Sequence, residues 1–410
     1  MFHLKIYISP FAGENVSNIK IYKGESKMKK TLSIILLVAL AMTLLAGCGG
    51  SVNANEIKIG INYELSGDVA TYGQSSVEGI ELAIEQINAA GGIGGKKLVA
   101  VKCDNKSDPA EATTLTTKLT TQDKVVAVLG PATSGSFKAT IPVSLQNKVP
   151  VASGSATADD VTVDASGVKE YAFRICFSDS YQGTAMANYA LNNLSKTKAI
   201  VIMDSSSDYG KGLAKNFIET FEAGGGSIVA QEAYVAKDTD FNAILTSIKS
   251  DDFDVIFIPG YYNEAGLIIK QARAQGINVP ILGADGFDSP TLVELAGADA
   301  LNNVYFSNHY SSLDQDPLVQ EFIKDFKAKY NKEPDAFNAL GYDLAKFVAD
   351  GIARAEKLDG VSVKNALAAT TDFAGVTGSF SVDENHNPVK QAVVIGLENG
   401  VQASSEKVAQ

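Results

Sequence analysis

Tryptophan is absent from the 410 residues, and histidine and cysteine occur three times each. Three histidines without His-x-x-x-His or His-Glu-x-x-His spacing leave no room for a His-rich metal centre. Three cysteines exclude a disulfide-built miniprotein. Clusters of Lys and Arg are missing from the body of the chain, and the net charge is −12 at pH 7. Both exclude the footprint of a nucleic-acid binder, which needs grouped cations for phosphate. Enzyme motifs are missing too. There is no G-x-x-x-x-G-K-[ST] phosphate loop and no G-x-S-x-G elbow. The junction at 60–73, GINYELSGDVATYG, has too few glycines for a dinucleotide fingerprint. Gly91-Gly-Ile-Gly-Gly-Lys-Lys97 is like a phosphate loop in composition alone and reads as a turn between helix and strand. His309 and His386 stand far apart, with no metal or general-base spacing. With no visible nucleophile, metal set or cofactor loop, the chain reads as a binder that needs no cofactor, not an enzyme.

What is present is ordinary globular material. Apolar residues make up 45% and charged residues 20%, which excludes a disordered or collagen-like chain. At roughly 150 residues per domain, the length suggests two domains.

The N-terminus reads as an address. Residues 31–45, TLSIILLVALAMTLL, are an apolar run behind Lys27, Lys29 and Lys30. The run is short for a membrane span, which takes about 20 residues, and fits a secretory signal. It closes as Leu45-Ala46-Gly47-Cys48, which resembles the lipobox of bacterial lipoproteins. That resemblance implies lipidation of Cys48 and an anchor on the outer face of a bacterial, Gram-positive cell membrane. Translation is expected from Met28, with 1–27 an upstream over-call, 28–47 the signal and 48–55 a small, polar tether. Cleavage removes six Lys and two Glu and leaves 363 residues with 29 basic and 45 acidic side chains. Such a surface is repelled by anionic headgroups, so the acyl anchor is the expected membrane contact. Cys103 and Cys176 are expected as mostly buried free thiols, with a pairing left open.

Beyond the tether, strand and helix alternate. Strand-like runs lie at 56–62, 97–103, 124–129, 149–152, 170–176, 198–203, 227–234, 254–259, 280–283 and 302–307. Helical periodicity fills 71–90, 109–121, 135–147, 180–193, 210–223, 240–250, 263–275 and 317–330. Runs such as Ala199-Ile-Val-Ile-Met203 are apolar throughout, as strands of a parallel sheet covered on both faces must be. The pattern predicts an α/β protein of two lobes.

A series of motifs then accumulates in order. It begins with Ile57-Lys-Ile-Gly60, Leu65-Ser-Gly67, Tyr72-Gly73, Glu78-Gly-Ile80 and NAAGGIGGKKL at 88–98. Asp108-Pro109, LGPATSGS at 129–136 and VPVASGSAT at 149–157 follow. The second half adds Asp208-Tyr-Gly-Lys-Gly212, Asp240-Phe241, GYYNEAG at 260–266 and Gln271-Ala-Arg273. Gly283-Ala-Asp-Gly286, Ala336-Phe337 and Gly341-Tyr342 complete it. Over nearly all of 56–396 the chain resembles the branched-chain amino-acid binding proteins of ABC transporters. The resemblance implies the type I periplasmic binding protein fold, two doubly wound parallel-sheet lobes joined by three hinge crossings. Crossings near 177, 306 and 374 would give one lobe of 56–176 plus 307–373 and another of 177–306 plus 374–400. It also implies a monomer that hands a Leu, Ile or Val to a permease. Relatives of the fold leave open another amino acid, an amide or urea, an aromatic acid, or a sensor ectodomain serving a signalling partner. The disulfide of Gram-negative members is absent, because position 107 is Ser and position 133 is Thr.

Candidate ligand contacts have a physical reason. Loops at the carboxyl ends of parallel strands face the crevice. The loop 130–136 feeds a helix, where Ser134 can cap the helix or serve an anion. The next such loop offers Ser155 and Thr157. By resemblance, Ser134, Ser155 (through its backbone) and Thr157 hold the ligand carboxylate. An ammonium needs a fixed anion when buried, and Asp285 matches the family's acidic residue, as Asp where Gram-negative members have Glu. Tyr72 and Phe337 from one lobe, with Tyr209 and Tyr261 from the other, would wall an apolar pocket.

Overall fold

The computed structural model describes residues 55–408; segment 1–27, the signal, Cys48 and most of the tether lie outside the described residues. No helix among the described residues is long and apolar enough to cross a membrane.

The first half of the chain builds a parallel sheet. Its strands are β1 (Glu56–Tyr63), β2 (Lys97–Asp104), β3 (Val128–Leu129) and β4 (Val151–Ser153). A small hairpin, β5 (Val163–Asp164) with β6 (Gly167–Val168), precedes the last strand, β7 (Ala172–Arg174). The order is β2-β1-β3-β4-β7. Helices α1 (Ala70–Ala89), α2 (Pro109–Thr121) and α3 (Ser134–Asn147) connect these strands. β3, β4 and β7 are buried at every residue, as an enclosed parallel sheet requires. The run expected at 124–129 yields only Val128–Leu129, because Lys124 takes a left-handed backbone, φ 58°, that a strand cannot hold.

The chain then crosses into α4 (Asp179–Asn188) and a second sheet. That sheet holds β8 (Lys198–Asp204), β9 (Ser227–Tyr234), β10 (Val255–Phe257), β11 (Ile281–Gly283) and β12 (Val304–Asn308). Helices α5 (Asp208–Ala223), α6 (Asn242–Ile248), α7 (Tyr262–Ala274) and α8 (Pro290–Ala296) lie between them. A second crossing leads to α9 (Pro317–Tyr330), α10 (Ala336–Arg354) and α11 (Gly360–Ala368), and α1 and α10 pack together. A third crossing returns the chain to β13 (Ala392–Glu398) and β14 (Val401–Val408). The order is β14-β13-β12-β11-β10-β8-β9, parallel from β9 to β12 and antiparallel for the last two.

Two of the boundaries read from the sequence fall inside this sheet. Position 306 lies within β12, which pairs with β13 out to Asn308. Position 400 lies between β13 and β14, whose pairing runs on to Val408. Both sheets show a strand-order reversal, at β1/β3 and at β8/β10, and such reversals open a crevice at the strands' carboxyl ends.

α1 and α10 approach so closely that only glycine fits between them. A Cβ on Gly79 would stand 1.9 Å from the Asn338 carbonyl oxygen, and one on Gly341 2.0 Å from that of Ser76. Asp335 caps α10 by accepting from the Asn338 N–H, and the Asn338 side chain accepts from the Asp335 N–H in return. Together these fix the first turns of both helices, which carry Tyr72 and Phe337. Cys103 and Cys176 are free thiols; Cys103 is only part-buried, and burial pushes the Cys176 thiol up to about 12.

Candidate functional site

A small cavity lies where the strand-end loops of the two sheets meet. Its walls nearly close on one another, leaving only a narrow space between them. Seven of the eight residues singled out from the sequence line it: Tyr72, Ser134, Ser155, Tyr209, Tyr261, Asp285 and Phe337. A larger hollow is bordered instead by the crossing segments 309–316 and 389–393. Among the described residues no group of three His, Cys, Asp or Glu side chains could hold a metal.

One wall is made of donors. Ser134 opens α3, whose first-turn N–H groups have no acceptor within the helix. Its hydroxyl oxygen accepts from the Ala158 N–H at 3.0 Å, so its own proton remains to be donated. Ser155 differs from expectation. Its N–H donates to the Ser153 hydroxyl oxygen at 3.2 Å and its hydroxyl to the Ala132 carbonyl at 3.0 Å. The backbone donor expected at Ser155 is therefore engaged, because the Ser153 oxygen gathers the N–H groups of both Ser155 and Ala156. Thr157 is fully buried but does not line the cavity. Its hydroxyl faces the Asp179 carboxyl.

The opposite wall is acidic. Asp285 stands just beyond β11, and its carboxylate is held at both oxygens. The Tyr209 hydroxyl donates to Oδ1 at 2.7 Å, and His309 Nε2 lies 3.1 Å from Oδ2. The Asp285 N–H donates to the Gln182 side-chain oxygen at 3.1 Å. Burial lowers His309 to about 4, so the ring is neutral and Nε2 carries the proton it offers to the carboxylate.

Four rings close the remaining sides. Tyr72 and Phe337 stack with centroids 4.3 Å apart, and Tyr209 and Tyr261 stack at 5.0 Å. Tyr72 meets Tyr261 edge-on at 5.7 Å, joining the pairs. Hydrogen bonds span the cleft at this point. The Tyr72 hydroxyl donates to the Gly286 carbonyl, the Tyr262 hydroxyl to the Asp68 carbonyl at 3.2 Å, and the Thr71 and Thr291 hydroxyls meet at 3.2 Å.

Several contributors escape sequence reasoning. Glu64, just past β1, is fully buried and accepts from the N–H groups of Ala132 and Thr133 and from the Thr133 hydroxyl. It thereby fixes the loop that presents Ser134. Asp179 and Gln182 stand at the start of α4. The Asp179 carboxyl lies against the Thr157 hydroxyl, and the Gln182 amide nitrogen is buried without a partner. Burial holds the Asp179 carboxyl well above the usual carboxylate range. The one signal in the sequence was position, since a charged or amide side chain just after a strand or crossing belongs to the crevice.

Residues 56–401 match the family described as "Periplasmic binding protein". A Pseudomonas aeruginosa protein named as a leucine-, isoleucine-, valine-, threonine- and alanine-binding protein is 31% identical over 358 residues, 87% of this chain and 94% of that one. The branched-chain amino acid transporter substrate binding protein LivJ of Streptococcus pneumoniae, solved with isoleucine, is 44% identical. It superposes with a TM-score of 0.83 over 87% of this chain and all of that one. The leucine binding protein LivK of Thermotoga maritima is 32% identical with a TM-score of 0.81, over 86% of this chain and 99% of that one. A match that runs from the first strand into the last hairpin makes this chain a member of the periplasmic binding proteins of the type I fold, a family that binds solutes and is not one of enzymes.

Proposed function

We propose that the chain is an extracytoplasmic lipoprotein that traps a branched-chain amino acid between two lobes, one built on each sheet, and delivers it to an ABC permease. One observation carries this reading: the cleft sets the Ser134 donor wall against the fixed Asp285 carboxylate across a ring of aromatics. A zwitterion with an apolar side chain fits that polarity. The ligand carboxylate takes the Ser134 hydroxyl and the first-turn N–H groups of α3, with the Thr157 hydroxyl behind them. The ammonium takes Asp285, and the side chain lies among Tyr72, Tyr209, Tyr261 and Phe337. The relatives named for leucine, isoleucine and valine support the choice of side chain.

A thermal-shift series on the soluble domain tests it. A ligand at roughly 100 times its Kd stabilises by about 2.7 kcal/mol. Leucine, isoleucine and valine should raise Tm, and 4-methylpentanoate, which is leucine without its amine, should not. A shift with urea or an aromatic acid alone would reassign the ligand. The anchor has its own test. Cys48→Ser removes the thiol that accepts the lipid, so the protein should stay an uncleaved precursor or be shed into the medium. Labelled cells that still show a processed, membrane-bound form would rule the anchor out.

A further inference from the structure

Asp285 is one methylene shorter than glutamate, so its carboxylate is aimed by what holds it from behind. The Tyr209 hydroxyl occupies one oxygen and His309 Nε2 the other. Each carboxylate oxygen has two lone pairs, so one on each remains for an incoming cation. His309 is the first residue after β12, at the start of the second crossing. Its side chain is wholly buried. Its ring stacks on Phe177 of the first crossing, with centroids 3.6 Å apart and planes 19° from parallel. The contact with Asp285 is therefore set from the segments that join the two sheets.

We propose that His309 is a positioning residue that aims the Asp285 carboxylate at the ligand's ammonium and ties that carboxylate to the hinge. The assignment rests on the amino-acid reading above. A neutral imidazole suits the task, because it donates a hydrogen bond without cancelling the charge that the ammonium requires. A lysine or arginine there would neutralise Asp285 and repel the ligand. Burial keeps the ring in the neutral form. Nδ1 has no hydrogen-bond partner, so the ring directs its one side-chain hydrogen bond to Asp285.

Calorimetry with leucine and 4-methylpentanoate, on wild type and two variants, tests the assignment. His309→Phe keeps a ring for the Phe177 stack and removes the donor. His309→Gln keeps an N–H at about the reach of Nε2. A hydrogen bond to a charged group corresponds to roughly 10- to 100-fold in affinity. His309→Phe should lose that much for leucine and little for 4-methylpentanoate, while His309→Gln stays within several-fold of wild type. Should the Phe variant not fold, His309→Asn, too short to reach Oδ2, carries the same expectation. An unchanged preference for leucine in the Phe or Asn variant, or equal losses with Gln, overturns the role of His309. A wild type that binds 4-methylpentanoate as tightly as leucine overturns the amino-acid reading beneath it.

Discussion

Asp285→Ala should weaken leucine binding by ~2–5 kcal/mol, or roughly 30- to several-thousand-fold, the usual cost of truncating one member of a buried charge pair. Asp285 is 3% exposed, so an ammonium beside it has no water to fall back on. Asp285→Asn should lose nearly as much while keeping the fold. The reason lies in His309. An asparagine amide turned toward His309 would set donor against donor if the ring kept its proton on Nε2. Nδ1 is unpartnered, so the proton can move there and Nε2 can then accept. The Tyr209 hydroxyl still finds the amide oxygen. The asparagine variant thus removes charge with little strain, and its loss of affinity reports the charge itself. Titration calorimetry with leucine, beside melting curves, measures both. Affinity within tenfold of wild type would show that Asp285 does not meet the amine.

Glu64→Ala should be the most damaging single change to the donor wall. The carboxylate lies 2.9 Å from the Ala132 nitrogen and 3.1 Å from the Thr133 nitrogen, both within the loop that leads into α3. Truncation leaves two N–H groups without an acceptor, at ~1–3 kcal/mol each when buried. Global stability should fall by about 2–6 kcal/mol, and leucine affinity should fall with it because Ser134 is no longer held in place. Glu64→Gln should lie between, since its single amide oxygen can serve one N–H while its NH2 opposes the other. α1 leans on the same residue. A Cβ on Gly73 would stand 2.1 Å from the Glu64 carbonyl oxygen, so residue 64 spaces the helix of Tyr72 as well. Thr133 is held by this carboxylate through both its N–H and its hydroxyl. Denaturant unfolding and calorimetry separate the two effects. A stability loss under about 1 kcal/mol would mean the loop holds itself.

The sequence pattern captured elements that carry their own signals. Helices at 109–121 and 317–330 match α2 and α9 at both ends, because each starts with an Asp cap before Pro. The helix expected over 180–193 gives way at Tyr189 to a wider turn, Tyr189–Asn193, that hydrophobic spacing cannot distinguish. α10 is buried over most of its length, and its polar stripe is confined to Lys346, Asp350 and Arg354 in the second half. The final hairpin runs antiparallel on a parallel sheet, and its local mark is the Asn399-Gly400 pair, both at positive φ, which joins β13 to β14 in two residues. The candidate residues sit in strand-end loops or, as with Tyr72, Tyr209 and Phe337, in the first turn of a helix, places that strand and helix order makes legible. The contacts of Glu64 and His309 were not legible. Glu64 meets Thr133 across 69 residues and His309 meets Asp285 across 24, and only the folded chain joins them.

The bonds from Tyr72 to Gly286 and from Tyr262 to Asp68 also bear on time. Both tie the two halves together, the first between two residues that line the cavity. Parting the halves must break them, and such a step belongs to the microsecond-to-millisecond kind that gates many lidded sites. Cargoes that fill the cavity alike would share that barrier, and their residence times would diverge only by how well each holds the gate shut. A membrane partner that grips both halves and pries them apart would set the pace of unloading without touching the cargo.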